Sequence, residues 1–296
     1  MPNQRDIDAL LSAPASPDVG RALIDWVTHL RGRIGRGDMA IGILSPAEVE
    51  KAPRALQRAA DCGLPSALIE LGTWFAAPPY GEPDLAAADA VLRRAVDSHV
   101  EGAVLQLGRI RWFLRSEDAS PDEQLETFAL LRAAVDANPA DAEALHLLGL
   151  LTCHGFGTDA APHAAVEMQQ KAASLGSTDA MFELYIHYQT GLGVAPDEYA
   201  AFEANRVAAE AGHPRALYNM GACFATGHHV PRDMAEAAAW YARASDAGNA
   251  NATATLALMY ATGEGVAKDA DYATELFDLA DHLGFNTTEL RQSVDL

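Results

Sequence analysis

The 296-residue chain is short of basic charge, aromatics and cysteine, and each shortage excludes something. Lysine and arginine number 21 against 41 acidic side chains, a formal charge of −20. Affinity for nucleic acid comes largely from Lys and Arg releasing counterions, so nucleic acid and anionic membrane surfaces are excluded as partners. Three cysteines, Cys62, Cys153 and Cys223, are an odd number without a C-x-x-C pair, which argues against a disulfide framework or a thiolate zinc site. No stretch approaches the ~18 uninterrupted apolar residues of a membrane helix. The N-terminus carries Asp6 and Asp8 where an export signal needs positive charge. The expectation is a cytoplasmic protein.

Motifs for chemistry are equally scarce. There is no G-x-x-x-x-G-K-[ST], H-E-x-x-H or G-x-S-x-G. Gly191-Leu192-Gly193 and Gly263-Glu264-Gly265 suggest a dinucleotide loop only superficially, because they follow helical patterns and not strands. The expectation is no catalytic residue, no cofactor and no metal. Among ten histidines the closest pair is His228-His229, in a loop where sister segments read G-x-G, so that His229 replaces a glycine. That pair can be a partner contact or a metal ligand; histidine also tolerates such a backbone well enough for no function at all, which is the reading adopted.

What is present is a repeat. The length exceeds the usual single core, which suggests two domains or an elongated array. Stacking residues 178–194, 214–230 and 250–266 aligns Ala180, Ala216 and Ala252 at steps of 36, with Leu184, Met220 and Leu256 four places on and Tyr188, Phe224 and Tyr260 eight places on. A downstream half ends at Gly212, Gly248 and Gly284, with the same period. Ala144, Gly155 and Gly176 fit one unit earlier; Ala67 and Ala103 begin two degenerate units, with five surplus residues around 116–124 and 136–144. Each half reads as a helix, apolar at i, i+4, i+5 and i+8, with small residues where another helix backbone comes close and glycines at the C-terminal caps. A hairpin of this kind cannot bury its apolar face alone. The predicted fold is therefore all-α, a right-handed solenoid of six to seven stacked αα-hairpins. Residues 1–45 form a divergent N-terminal cap, 46–285 the repeat array, and 286–296 a closing helix.

The pattern A-x-x-x-L-G-x-x-Y-x-x-G-x-G-V, then A-x-x-W-Y-x-x-A-A-x-x-G, resembles the Sel-one-like repeat family, relatives of the tetratricopeptide repeats. The resemblance implies adaptor or scaffold work with partners that differ between proteins. Some cysteine-rich secreted members have been proposed to bind or hydrolyse β-lactams; their bridging cysteine pairs have no counterpart here, which leaves a β-lactamase-like hydrolase as a remote alternative.

The resemblance also implies that first helices line a concave surface, through residues one before and two, six, nine and ten after the register alanine. The column at plus two holds Ile69, Leu105, His146, Phe182, Tyr218 and Ala254. Apolar residues at solvated positions point to a binding stripe, although the same column becomes core if neighbouring hairpins pack tightly over it. The predicted partner-binding residues are Leu105, Arg109, Trp112, Phe113, His146, His154, Phe182, Gln189 and Tyr218. The expected function is a non-catalytic adaptor holding a basic protein or peptide, steered by the acidic surface. The alternative is a cytosolic inhibitor or immunity protein that neutralises a basic toxin or effector.

Overall fold

A computed structural model describes residues 4–35, 45–79, 82–114 and 117–294. The segment 36–44 between the N-terminal helices, residue 116 of the lengthened loop and the last two residues of the closing segment lie outside the described residues. Seventeen helices and no strand occur among the described residues, as the all-α reading requires. They pack as two compact units, residues 1–137 with 156–158, and residues 138–155 with 159–296.

The first unit contains α1 (Gln4–Ser12), α2 (Pro17–Gly35), α3 (Pro46–Val49), α4 (Ala52–Asp61), α5 (Ala67–Ala76), α6 (Leu85–Asp97), α7 (Ala103–Phe113) and α8 (Pro121–Ala137). Helices pair as α2 with α4, α5 with α6 and α7 with α8, and each pair packs on the next. The sequence reading did not anticipate α1. Its apolar residues are few, but Ile7, Leu10 and Leu11 fall on one helical face, and Ile7 is wholly buried in the unit's core.

The second unit contains α9 (Ala142–His154), α10 (Pro162–Ser174), α11 (Thr178–Thr190), α12 (Glu198–Glu210), α13 (Pro214–Thr226), α14 (Met234–Asp246), α15 (Ala250–Thr262), α16 (Ala270–His282) and α17 (Thr288–Ser293). α9 to α16 form four consecutive hairpins, each closing on the next. The caps explain the regular period. Asp141, Ser177, His213 and Asn249 each accept a hydrogen bond from the backbone N–H of the register alanine three places on. The first helices then end at Gly155, Gly191, Gly227 and Gly263 in the left-handed conformation. Asp197, Asp233 and Asp269 cap the second helices, and the same residues donate their N–H groups to the carbonyls of Tyr188, Phe224 and Tyr260, closing each hairpin.

One expectation needs correcting. The small residue five places after the register alanine makes room for a side chain of the paired helix, not for its backbone. A Cβ on Gly72, Gly149 or Gly221 would lie 2.6–2.7 Å from Leu92, Gln169 or Tyr241 respectively. Each of these three hairpins thus interlocks a small residue with a larger one.

Candidate functional site

The hairpin of α11 and α12 reverses that size rule. Tyr185 stands where the sister helices have Gly149, Gly221 or Ala257, and the facing position holds Asn205 instead of Gln169, Tyr241 or Phe277. The tyrosine is half-buried, and the asparagine is buried, where it donates to the Ala216 carbonyl (3.3 Å) and accepts from Asn219 (3.0 Å). A large residue on α11 facing a short one on α12 leaves the space beside them unfilled. A groove of about 660 Å³ lies there, within the size range of pockets that seat ligands.

Its lining combines aromatic and acidic groups. Tyr185, Tyr188 and Phe202 supply rings, while Asp197 and Glu198, at the start of α12, supply carboxylates. Gln189 hydrogen-bonds Tyr185, whose phenol burial pushes above its ordinary range. Cys223 also lines the groove, and burial pushes its thiol up, so it rests protonated and is a poor nucleophile.

The histidine pair closes one side of the groove. Nε2 of His228 lies 3.1 Å, and Nε2 of His229 3.6 Å, from the same oxygen of Glu198. His229 has φ of 61°, a left-handed conformation that its sister glycines, Gly157, Gly193 and Gly265, share. At those glycines the chain runs against the backbone of the preceding hairpin: an added Cβ would lie 2.2–2.4 Å from the carbonyl of Gln124, Pro162 or Met234. The residue one period from Pro162 and Met234 is Glu198. His229 therefore puts a side chain where sister loops press backbone on backbone, and its ring packs on Phe202 at 5.0 Å between centroids.

The residues predicted from sequence fall into three groups, buried, half-buried and exposed. His146 and Phe182 are buried, at 6% and 8% exposure, so neither offers its side chain to a partner. His146 is tied to Gln169 of the paired helix by Nδ1 (2.9 Å) and by its carbonyl, which accepts from the Gln169 amide (3.1 Å). Phe182 stacks on His213, which caps the next hairpin, at 4.3 Å. Leu105 and Tyr218 are half-buried, the latter packed on Tyr241. No member of the plus-two column is exposed. Arg109, Phe113, His154 and Gln189 are exposed; Trp112 is half-buried, edge-on to Phe156 at 5.8 Å. Of all these residues only Gln189 lines the groove. Sequence reasoning missed Tyr185, Glu198 and Phe202, yet the signal for Tyr185 was in the alignment: a tyrosine in a glycine column.

The Sel1 repeat family model matches residues 142–177, 178–213, 214–249 and 250–280. Among solved structures, the chain is similar to a Sel1 repeat protein from Oxalobacter formigenes (24% identity, 97% of this chain and 99% of that one, TM-score 0.54). It is also similar to a protective antigen of uropathogenic Escherichia coli with an SLR fold (26% identity, 79% of this chain, TM-score 0.51) and spans about half, 49%, of that protein. An immunity protein from Pseudomonas aeruginosa shares the fold (16% identity, 74% of this chain and 81% of that one, TM-score 0.54). No curated protein matches the chain.

Proposed function

From the premise that residues 142–280 are four Sel1 repeats, we propose that the protein is a non-catalytic interaction module that seats a basic segment of a partner protein in the groove beside Tyr185 and Asn205. The reversed size pair carries this reading, since it opens one hairpin in an array whose sister hairpins interlock. Aromatic rings suit the aliphatic stem and cationic head of Arg or Lys, and the carboxylates of Asp197 and Glu198 suit its charge. The formal charge of −20 would speed the encounter. Among the described residues no helix is long and apolar enough to cross a membrane.

The test is fluorescence anisotropy of labelled Arg-rich and Asp-rich peptides of equal length. The proposal expects saturable binding of the basic peptide alone, and its loss in Tyr188→Ala and Gln189→Ala with the thermal melt retained. Equal binding of both peptides, or binding indifferent to those substitutions, overturns it.

A second reading, an inhibitor of a basic secreted effector, has the fold likeness to the Pseudomonas immunity protein in its favour. It would use the same charge for a tight complex, and its association rate would fall steeply with added salt.

A further inference from the structure

We propose that Glu198, His228 and His229 form a binding site for one divalent transition-metal ion of the zinc type at the rim of the groove.

The geometry is that of a ligand set. One ligand atom from each residue lies within 4.8 Å of the other two. The two histidine nitrogens stand 3.1 and 3.6 Å from one Glu198 oxygen. In a tetrahedral site with metal–ligand bonds of ~2.0–2.1 Å, neighbouring ligand atoms are roughly 3.3 Å apart. The two histidine–carboxylate separations bracket that value, and the two histidine ligand atoms lie within 4.8 Å of each other, so an ion would draw the imidazoles together. Two imidazoles and one carboxylate favour zinc, nickel or copper over the oxygen-seeking magnesium and calcium. Three protein ligands leave a fourth position for water or for a donor from a bound partner.

A second observation comes from the backbone. His229 adopts φ of 61° at a register position that is glycine in Gly157, Gly193 and Gly265. A non-glycine residue is disfavoured there, less so for histidine than for most. The consequence of accepting that cost is visible: the His229 side chain is only 21% exposed, held against Phe202, with its Nε2 turned to Glu198. Glu198 belongs to the first turn of α12, and both histidines to the loop after α13, so the site exists only when two successive repeats are folded together. An ordinary imidazole–carboxylate pair is the competing explanation, and it predicts no specific metal affinity.

The experiment is calorimetric titration of the tag-free full chain with zinc chloride near neutral pH, with the visible absorption of the cobalt(II) form as a second readout of tetrahedral nitrogen and oxygen coordination. One ion should bind per chain. Glu198→Gln, His228→Ala and His229→Gly should each weaken binding by roughly 100-fold or more, since loss of an outer partner alone costs 10–100-fold. His163→Ala, which removes a separate exposed histidine 3.9 Å from Glu167, should leave it unchanged. His229→Gly installs the residue of the sister repeats and is therefore expected to fold, which circular dichroism checks. Absence of one-to-one binding in the wild type, or undiminished binding in the three ligand variants, overturns the proposal.

Discussion

Arg111 and Asp89 form a bidentate ion pair inside the first unit, at 2.6 and 3.2 Å, with the arginine side chain wholly buried. Arg111 lies eight places after Ala103, in the column that holds Phe75, Tyr188, Phe224 and Tyr260 elsewhere. Its remaining donors reach Glu126 (3.0 Å) and Thr127 (2.8 Å) on α8. A buried guanidinium is tolerable only with such a full set of partners. The degenerate second half of this hairpin, α8, supplies those two partners.

Removing Asp89 leaves Arg111 with Glu126, itself partly exposed, as its remaining counter-charge. Asp89→Ala should destabilise the protein by about 2–4 kcal/mol, because the buried guanidinium loses its bidentate partner and keeps only Glu126 as a counter-charge. Replacing both, as Asp89→Leu with Arg111→Phe, should recover most of that loss, since apolar packing of similar volume often matches a buried pair. Urea unfolding of the two variants checks the ordering; a double variant weaker than the single one contradicts it.

The same pair sets an acid response. Burial opposes ionisation of Asp89, but the hydrogen bonds and charge of Arg111, then of Arg93, outweigh it and hold the carboxyl below its ordinary range. The unfolded chain, with a value near ~3.9, takes up the proton first as pH falls. The contribution is therefore whole above about pH 4 and disappears as pH drops through the native value. Asp89→Asn should be less stable than wild type at neutral pH, and the difference should narrow below about pH 4.

Two glycines with similar backbone angles should differ in cost. Gly265 and Gly248 have φ of 77° and 82°, but a Cβ would lie 2.2 Å from the Met234 carbonyl at the former and meet nothing within 4 Å at the latter. Gly248→Ala should cost about 1–2 kcal/mol from the backbone alone. Gly265→Ala should cost about 2–5 kcal/mol, as overpacking adds to it. Equal losses in thermal melts would refute the role of the close approach.

His187 is buried with its Nε2 lacking a hydrogen-bond partner, while Nδ1 lies 2.7 Å from the Leu192 carbonyl. Burial, only partly offset by that hydrogen bond, lowers its pKa from the usual value. A depressed native value means that the unfolded state binds the proton first, so stability is whole above ~6.5 and is lost as pH falls through the native value. His187→Asn keeps a donor at the Nδ1 position for Leu192 without a titrating charge. Its melting temperature should fall less than that of wild type between roughly pH 7 and 5.

Restoring the interlock should close the groove. Tyr185→Gly with Asn205→Tyr recreates the pair seen at Gly221 and Tyr241. The double variant should remain folded, within about 2–4 kcal/mol of wild type given the cost of a helical glycine and of the two hydrogen bonds Asn205 makes, while losing basic-peptide binding. Retained binding would place the interaction elsewhere.

Much of the fold was legible in the sequence because helix boundaries here are local. An N-cap side chain at 177, 213 or 249 and a glycine fourteen places on act within one hairpin, so the period of 36 is both a sequence fact and a structural one. The binding stripe was less legible. Helical periodicity places Phe182 and His146 on a face, but whether that face meets solvent depends on what the next element does, and here His213 and Gln169 cover it.

The sequence by itself determined the helical hairpins, their number in the regular region and their caps, since these follow from short-range hydrogen bonding and backbone conformation. Only the tertiary structure decided which residues face outward together. Tyr185 and Asn205 are twenty residues apart, and Glu198 is thirty from His228, and each pairing rests on packing between helices or between repeats. Side-chain volume and charge act through space, so a groove with an acidic, histidine-bearing rim appears only once the repeats are stacked.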